Sequence, residues 1–417
     1  MHAEAQGHLH SVTGQTLLAT LPTAALGDLC YIDRRNNSPL PAQVTAFRGD
    51  TIVLTPLEDP GSLSPRATVR TAGQSVKLRL PRSPFGLVLD CLGQPYAGQS
   101  YTESFVTLAC NAKSPSPLER TPIVKQLHTG IRSIDTLCPI GYGQRLGLFA
   151  GPGVGKSTLL GMIARQAKVD LVVVALIGER GREVQEFMEE SLGEAGLSRS
   201  IVIASTSDES PIRRKLALET ATTIAETYRD QGLNVLLLVD SLTRAARAIR
   251  DTSLSAGELP IRQGYTSSVY SELPKLIERA GTNRKGSITA IYTLLSESMK
   301  ELDPLSHEVK SLLDGHICLS SELALRGIRP AIDPLESISR LSGKLLSEEE
   351  TSENVEVFSL LAQAKEEREM ALLSGGTDAT TARLLEKEEL VWETLTQGIS
   401  VVGSIQETRK CFRRALA

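Results

Sequence analysis

The run RLGLFAGPGVGKSTLLGMIARQA, residues 145–167, holds residue types suited to gripping phosphate. An apolar segment ends at Ala150. Gly151, Pro152, Gly153, Val154 and Gly155 then form a glycine-rich turn, and a helical pattern opens with Lys156, Ser157 and Thr158. Backbone N–H groups of such a turn and of a helix start can wrap a triphosphate, and glycine is needed where a Cβ would block close approach. Lys156 is placed to reach the β- and γ-phosphates, and the Ser157 hydroxyl to ligate Mg2+. The strict spacing GxxxxGK[ST] asks for glycine at position 150, where this chain has alanine. The remaining glycines and the strand–turn–helix context outweigh that mismatch.

Two carboxylates extend the reading. In VLLLVDSLTR, Asp240 ends a buried apolar strand downstream of the glycine turn, a position from which it can hold Mg2+ through water. In ALIGERGREVQEF, Glu179 follows another apolar strand. The carboxyl ends of strands in an open parallel sheet line the ligand crevice. A carboxylate there can orient and polarise water for attack on the γ-phosphate. The plainer reading of Glu179 is a cap for a helix beginning near Arg182.

These residues need a sheet to align them. Apolar strand cores recur at 145–150, 171–177, 201–205, 235–240 and 288–295, separated by helical stretches. Near-continuous Val, Ile and Leu suit strands covered on both faces, so the alternation predicts a parallel sheet with helical crossovers over residues 81–345. Residues 1–80 read differently. Short apolar stretches broken by turn signals predict a small β-sandwich or barrel, with Arg66, Arg70, Lys77, Arg79 and Arg82 as a basic strand face or contact surface. The Pro-rich SPSPLERTP, residues 114–122, reads as a surface connection. From 346 to 417 no strand signal remains. Helical segments broken by Gly375–Gly376 and Gly398 predict a small bundle.

Composition bounds the rest. The 417 residues suggest two or three domains. They are 41% hydrophobic and 23% charged, figures of a folded chain. A net charge of −4 argues against binding nucleic acid by bulk charge. Cys30, Cys91, Cys110, Cys138, Cys318 and Cys411 form no CxxC pair, so neither a disulfide framework nor a zinc site is indicated. No segment approaches the ~18 apolar residues of a membrane span, and no secretory signal precedes Gln15. A soluble, intracellular protein is expected.

The run from 122 to 340 resembles the catalytic hexameric ATPases of type III secretion, injectisome or flagellar, which are relatives of the F-type ATP synthase β subunit. The matching text includes TPIVKQLHTGIRSIDTL, GQRLGLFAGPGVGKSTLL, LIGERGREVQEF, LLLVDSLTRAARAIRD, SLLDGHICLS and RPAIDPLESISR. GERGREV favours the secretion branch, because the synthase β subunit typically reads GERTREG there. The amino-terminal text LGDLCYI and FGLVLDCLGQPYAG is similar too, and the carboxyl bundle matches weakly.

The resemblance implies a RecA-like P-loop ATPase core, α/β in class, with an N-terminal small β-barrel and a C-terminal helical bundle. It implies an ATP- and Mg2+-dependent homohexamer that releases and unfolds export substrates at the cytoplasmic face of the inner membrane. Central-stalk and stator proteins, export chaperones and substrates are the expected partners, with membrane association only through the apparatus. Lys156 and Ser157 take the phosphate and Mg2+ roles, Glu179 the catalytic base, and Asp240 the Mg2+-linked aspartate. Arg180 contacts the phosphate region. Arg340, in SISR, becomes the arginine finger donated to the neighbouring subunit. The segment 255–266 is expected to line the central pore, with Tyr265 facing a stalk.

Departures from the family accompany the match. Arg329 stands where the family has an aromatic stacked on adenine; a guanidinium can also stack on a base. GYPPSVF reads GYTSSVY here, and the acidic loop reads SESMKELDPLSHEV at 296–309. The usual amphipathic amino-terminal helix does not precede the barrel text, from which a trimmed chain or altered partner binding is expected. A catalytic subunit of a rotary ATP synthase or proton pump is the alternative function.

Overall fold

The short apolar stretches of the first eighty residues close on themselves. In the computed structural model, which describes residues 6–35, 37–101, 104–110, 112–295, 303–374 and 379–417, they form a six-stranded antiparallel barrel. Its strands are β1 (Gln6–Thr13), β2 (Thr16–Thr20), β3 (Asp28–Arg34), β4 (Asn37–Arg48), β5 (Thr51–Pro56) and β6 (Thr68–Ser75), in the closed order β1-β2-β5-β4-β3-β6. Alternate residues turn inward, Leu17 and Ala19 on β2 and Cys30 and Ile32 on β3. Closure leaves no unpaired edge. The basic residues expected as one cluster are divided. Arg70 pairs with Asp33 within the barrel. Lys77 and Arg79 lie on a separate ribbon, Lys77–Pro81 against Phe105–Ala109, where Arg79 sits 4.3 Å from the Phe105 ring centroid.

The central sheet is built from β7 (Val88–Leu89), β8 (Arg145–Ala150), β9 (Leu171–Ile177), β10 (Ser200–Ser205), β11 (Asn234–Asp240), β12 (Ser287–Leu295), β13 (Gly315–Leu319) and β14 (Ile332–Ser339). Their order is β14-β13-β8-β12-β11-β9-β10-β7, with Gly281–Thr282 pairing on β12. Neighbours along this path run parallel except the edge pair β13–β14. The continuous apolar runs are explained by burial on two sides. Leu171, Val173, Ala175 and Ile177 join one core, while Val172, Val174 and Leu176 join the other. The first core also takes side chains of α3 (Pro211–Arg229), α4 (Leu242–Ala256) and α5 (Ser267–Arg279). The second takes those of α1 (Lys156–Gln166) and of the carboxyl-terminal helices.

Register sets the working edge. Ala150 pairs with Leu295, Leu176 with Asp240, and Ile177 with Ser205, so these strands end level. β14 runs the other way: Ile332 pairs with Leu319 at that same edge, and Ser339 pairs with Gly315 at the far one.

Two further features hold the parts in place. The Pro-rich connection is pinned rather than loose, because Arg120 donates to the Ala280 carbonyl at 3.0 Å and meets Glu278 at 3.1 Å. The last helices are α6 (Glu348–Ser374), α7 (Ala379–Leu395) and α8 (Ile405–Leu416). Arg409 of α8 reaches Glu353 and Asn354 of α6 and the Thr136 carbonyl, which ties the bundle to the core. Gly398 separates α7 from α8 as expected. Gly375–Gly376 and residues 296–302 of the substituted acidic loop lie outside the described residues. Among those described, no helix is long and apolar enough to cross a membrane.

The segment 255–266 carries a small hairpin, Pro260–Arg262 against Tyr265–Thr266. Its outward side chains are Leu259 and Ile261, 80% and 63% exposed. Tyr265 is only 7% exposed, packed 5.8 Å from the Arg250 guanidinium, so the expectation that Tyr265 faces a partner is corrected. The neighbouring Thr266 hydroxyl is also engaged, at 2.6 Å from that of Ser253.

Besides apolar packing and the Lys215–Glu272 pair at 2.7 Å, a buried ion pair joins α3 to α5. Arg279 donates to Glu226 through Nε at 2.9 Å and Nη2 at 2.5 Å, and to the Thr223 hydroxyl at 2.9 Å. Removing one partner of such a pair strands a buried charge, which costs about 3–5 kcal/mol. Glu226→Ala is therefore expected to lower the stability from urea denaturation by that amount. A near-unchanged midpoint would show that the pair does not hold the two helices.

Candidate functional site

The glycine turn lies where β8 hands over to α1. Gly153 and Gly155 have φ of +74° and +95°, and a Cβ on either would meet nothing within 4 Å. Backbone conformation, not crowding, demands glycine there, and the space in front of the turn is open. Gly155 is the residue before Lys156, and its carbonyl accepts the first helical bond from Leu159 at 3.0 Å. Gly151 and Pro152 complete the approach, and Val154 alone turns inward. Ala150 causes no conflict. It is the last residue of β8, buried and paired with Leu295, and does not take a left-handed backbone. Ser157 is exposed and Thr158 half-buried at the start of α1.

Lys156, Glu179 and Asp240 come together. The Lys156 ammonium lies 2.5 Å from Asp240 Oδ1 and 3.7 Å from Glu179 Oε1. Both carboxylates are buried, at 2% and 8% exposure. Asp240 also accepts from the Thr293 hydroxyl of β12 at 2.9 Å. Glu179 Oε2 accepts from Arg244 Nη2 at 3.1 Å, while Glu179 Oε1 is buried with no hydrogen-bond partner. The capping reading of Glu179 gives way. Arg180 is the cap residue of α2 (Gly181–Glu186), and the carboxylate that accepts there, from Arg180 N, is Glu183's.

Charge follows from this crowding. Burial, the nearby Asp240 charge and a hydrogen bond with Glu183 raise the Glu179 carboxyl from 4.5 to about 7, against the opposing pull of Lys156 and Arg244. The oxygen set suits a hard divalent cation: a serine hydroxyl and a buried carboxylate that already draws an ammonium. Among the described residues no group of three or more His, Cys, Asp or Glu side chains could hold a metal unaided. Phosphate oxygens would therefore have to complete the shell around a divalent cation there, for which Ser157 and Asp240 are candidate ligands.

The three arginines expected at the site are distributed. Arg180 is adjacent in sequence to Glu179, yet its side chain is 74% exposed and lies 3.7 Å from Glu183. Arg329 precedes β14 at the same sheet edge as the glycine turn, and its Nη1 donates to the Ala324 and Ile328 carbonyls at 2.7 and 3.0 Å. Arg340 is at the other edge. It follows Ser339, and its N–H donates to the Asp314 carbonyl at 3.0 Å. The eight residues of β14 span about 25 Å at ~3.3 Å per residue, far longer than an arginine side chain. Among the described residues no hydrogen bond or ion pair engages the exposed Arg340 guanidinium. Sequence reasoning missed Arg244 and Thr293. Arg244 carried a signal, since it lies on the first helical turn after Asp240.

A pH dependence follows for the protein free of nucleotide and metal. The folded state keeps the Glu179 proton at pH values where the unfolded chain has lost it. Stability is thus lost as pH rises from about 4.5 through about 7. Glu179→Gln cannot ionise and should lack this component. Urea midpoints at pH 5 and pH 8 should therefore draw closer in the variant, and an unchanged gap would contradict the assignment.

The comparisons agree with this geometry. Residues 130–339 match the model of the ATP synthase alpha/beta family, nucleotide-binding domain. The chain is 41% identical over 407 residues to the flagellum-specific ATP synthase of Treponema pallidum, covering 96% of this chain and 91% of that one. It is 39% identical over 406 residues to the type 3 secretion system ATPase of Xanthomonas euvesicatoria, covering 96% and 92%. Among solved structures, the assembled ATPase EscN of the enteropathogenic E. coli type III secretion system superposes with a TM-score of 0.91 at 39% identity, over 99% of this chain and 100% of that one. EscN in complex with its central stalk EscO superposes at 0.88, with 38% identity and the same coverage. An open glycine turn, two buried carboxylates level with it and near-complete coverage by these relatives lead to one statement: the chain belongs to the ATP synthase alpha/beta family and, within it, to the type III secretion and flagellar export ATPases.

Proposed function

We propose that this chain is the ATP-hydrolysing motor of a type III protein export apparatus, working as a homohexamer that releases and unfolds export substrates. The observation that carries the reading is the meeting of Lys156, Glu179 and Asp240 around an open glycine turn. Gly151 to Gly155 and the start of α1, through Thr158, present N–H groups to the triphosphate. Lys156 exchanges Asp240 for the β- and γ-phosphate oxygens. Ser157 and Asp240 hold Mg2+, which when bound neutralises charge on those oxygens. Glu179 orients water and accepts its proton, with the unpartnered Oε1 as the accepting atom. Arg180 stands beside Glu179 on the phosphate side, and Arg329 on the base side.

Arg340 serves the neighbouring copy. Its distance along β14 from its own glycine turn supports use by a neighbouring copy, and a fixed guanidinium meeting transition-state charge is worth about 10³–10⁵ in rate. The apolar tip at Leu259 and Ile261 is the part of the 255–266 hairpin suited to a central-stalk protein. Stator proteins, chaperones and export substrates complete the partners, and the ring sits at the cytoplasmic face of the inner membrane through the apparatus.

Mixing variants tests the shared site. Lys156→Ala is expected to abolish turnover and sharply weaken nucleotide binding, and Arg340→Ala to bind ATP but turn over ~10³-fold more slowly. Mixed assemblies contain interfaces with an intact lysine facing an intact arginine, so activity should recover above either variant alone. Absence of recovery in proven co-assemblies would overturn the shared site. Hydrolysis of ATP by the chain alone, with no second subunit type, is also expected.

The base side has its own test. Arg329→Tyr supplies the family's aromatic and should leave nucleotide affinity unchanged or raise it in equilibrium titrations. A severe loss would mean that Arg329 contacts phosphate or a neighbour.

A further inference from the structure

The parallel ladder between β9 and β10 runs on past the ends of both strands. Gly178 N donates to the Ser205 carbonyl at 2.6 Å, and Ser207 N donates to the Glu179 carbonyl at 3.0 Å. The main chain that carries the Glu179 side chain is therefore fixed to residues 205–207. What shapes that turn also decides where the carboxylate starts.

The turn folds around another carboxylate, that of Glu209. Its Oε2 accepts from the Ser205 hydroxyl at 2.7 Å and from Arg213 Nε, on the first turn of α3, at 3.0 Å. Its Oε1 lies 3.3 Å from the Tyr96 hydroxyl, which also lies 3.1 Å from the Ala204 carbonyl. Glu209 N closes the turn by donating to the Thr206 carbonyl at 3.1 Å. Arg213 is anchored in turn, its Nη2 donating to Asp90 Oδ2 at 3.2 Å just past β7. Asp90 Oδ1 accepts from the Leu92 and Gln94 N–H groups, each at 2.9 Å. Ser205 is fully buried, and Glu209, Arg213 and Asp90 are largely so. Charge-assisted bonds in such surroundings are strong and directional.

The end of β10, the start of α3 and the segment after β7 thus meet on one side chain. Among the described residues no hydrogen bond or ion pair joins Glu209 to Glu179, Lys156 or Asp240, so its reach to the site runs through the backbone. That route matters because Glu179 Oε1 has no hydrogen bond of its own to hold it in place. We infer that Glu209 is a positioning residue: through the 205–207 turn it holds the Glu179 main chain where Oε1 can meet the attacking water. The inference rests on Glu179 acting on that water. It leaves the phosphate grip of the glycine turn and Lys156 untouched.

The test is a double-variant cycle on the assembled ATPase, with turnover from steady-state kinetics and affinity from equilibrium titration with a fluorescent ADP analogue. Glu209→Ala is expected to lower kcat by about 10²-fold, the scale of a ~1 Å misplacement of a reacting group, with KM and ADP affinity unchanged. Added to Glu179→Gln it should lower turnover no further, because the residue it positions is already disabled. Glu209→Gln should recover most of the loss. Its amide oxygen can still accept from Ser205 and Arg213, and its NH2 can donate to the Tyr96 oxygen while Tyr96 donates to Ala204. Should Glu209→Ala fold poorly, Ser205→Ala and Tyr96→Phe each remove one bond from the same carboxylate. Each is expected to lower kcat about fivefold, the scale of one hydrogen bond, with the same dependence on Glu179.

Four outcomes overturn the inference alone. The first is a normal kcat in folded, assembled Glu209→Ala, or in both milder variants where Glu209→Ala does not fold. The second is a full additional loss on the Glu179→Gln background. The third is a Glu209→Gln protein as slow as Glu209→Ala, which would mean that charge and not the bonded turn is what counts. The fourth is weakened ADP binding at constant kcat, which would place the effect on the phosphate grip. Normal turnover in Glu179→Gln itself would instead remove the reading of Glu179, and the inference with it.

Discussion

Two buried carboxylates stand at the level ends of neighbouring strands, and almost everything else at this edge answers to their repulsion. Asp240 ends β11, and Glu179 follows β9 by two residues. In a low-dielectric setting like charges so close are costly unless cations or hydrogen bonds attend them. Lys156 arrives from α1, Arg244 from α4 and the Thr293 hydroxyl from β12, each from a different element. None of these partners could converge without the parallel register that brings β8, β9, β11 and β12 to a common edge. The sheet is the device that makes the cluster affordable, and the glycine turn is the opening through which a triphosphate can enter it.

Much of this was legible in sequence because the physics is local or strongly patterned. The strands at 145–150, 171–177 and 235–240 announced themselves by unbroken apolar runs, since both faces are covered. The turn between Ala150 and Lys156 was legible because two left-handed positions can hardly be anything but glycine. Edge elements were harder. β14 is partly exposed and antiparallel, so its IDPLESIS reads as nothing in particular. Arg340 stood out only by resemblance, since nothing in SISR by itself marks a functional arginine.

The errors have physical causes as well. Tyr265 was expected to face a stalk by resemblance alone, yet an aromatic beside a cation and a helix is buried more readily than exposed. Arg244 was passed over although its place on the first helical turn after Asp240 was a signal, because its reach across the end of the neighbouring strand β9 depends on the sheet order. The basic residues from Arg66 to Arg82 looked contiguous in sequence, but the chain leaves the barrel after Ser75, and contiguity ends with it.

With Arg340 donated as proposed, its separation from the glycine turn along β14 would give the molecule a giving side and a receiving side. Copies joined side to side in an open row would always leave one terminal turn without a donor and one terminal arginine without a recipient. A row of n chains would hold n − 1 completed sites, and closure removes both defective ends at once. Under that geometry an incomplete assembly is marked by its ends rather than by its average, and ring closure is registered chemically by the last site to be completed.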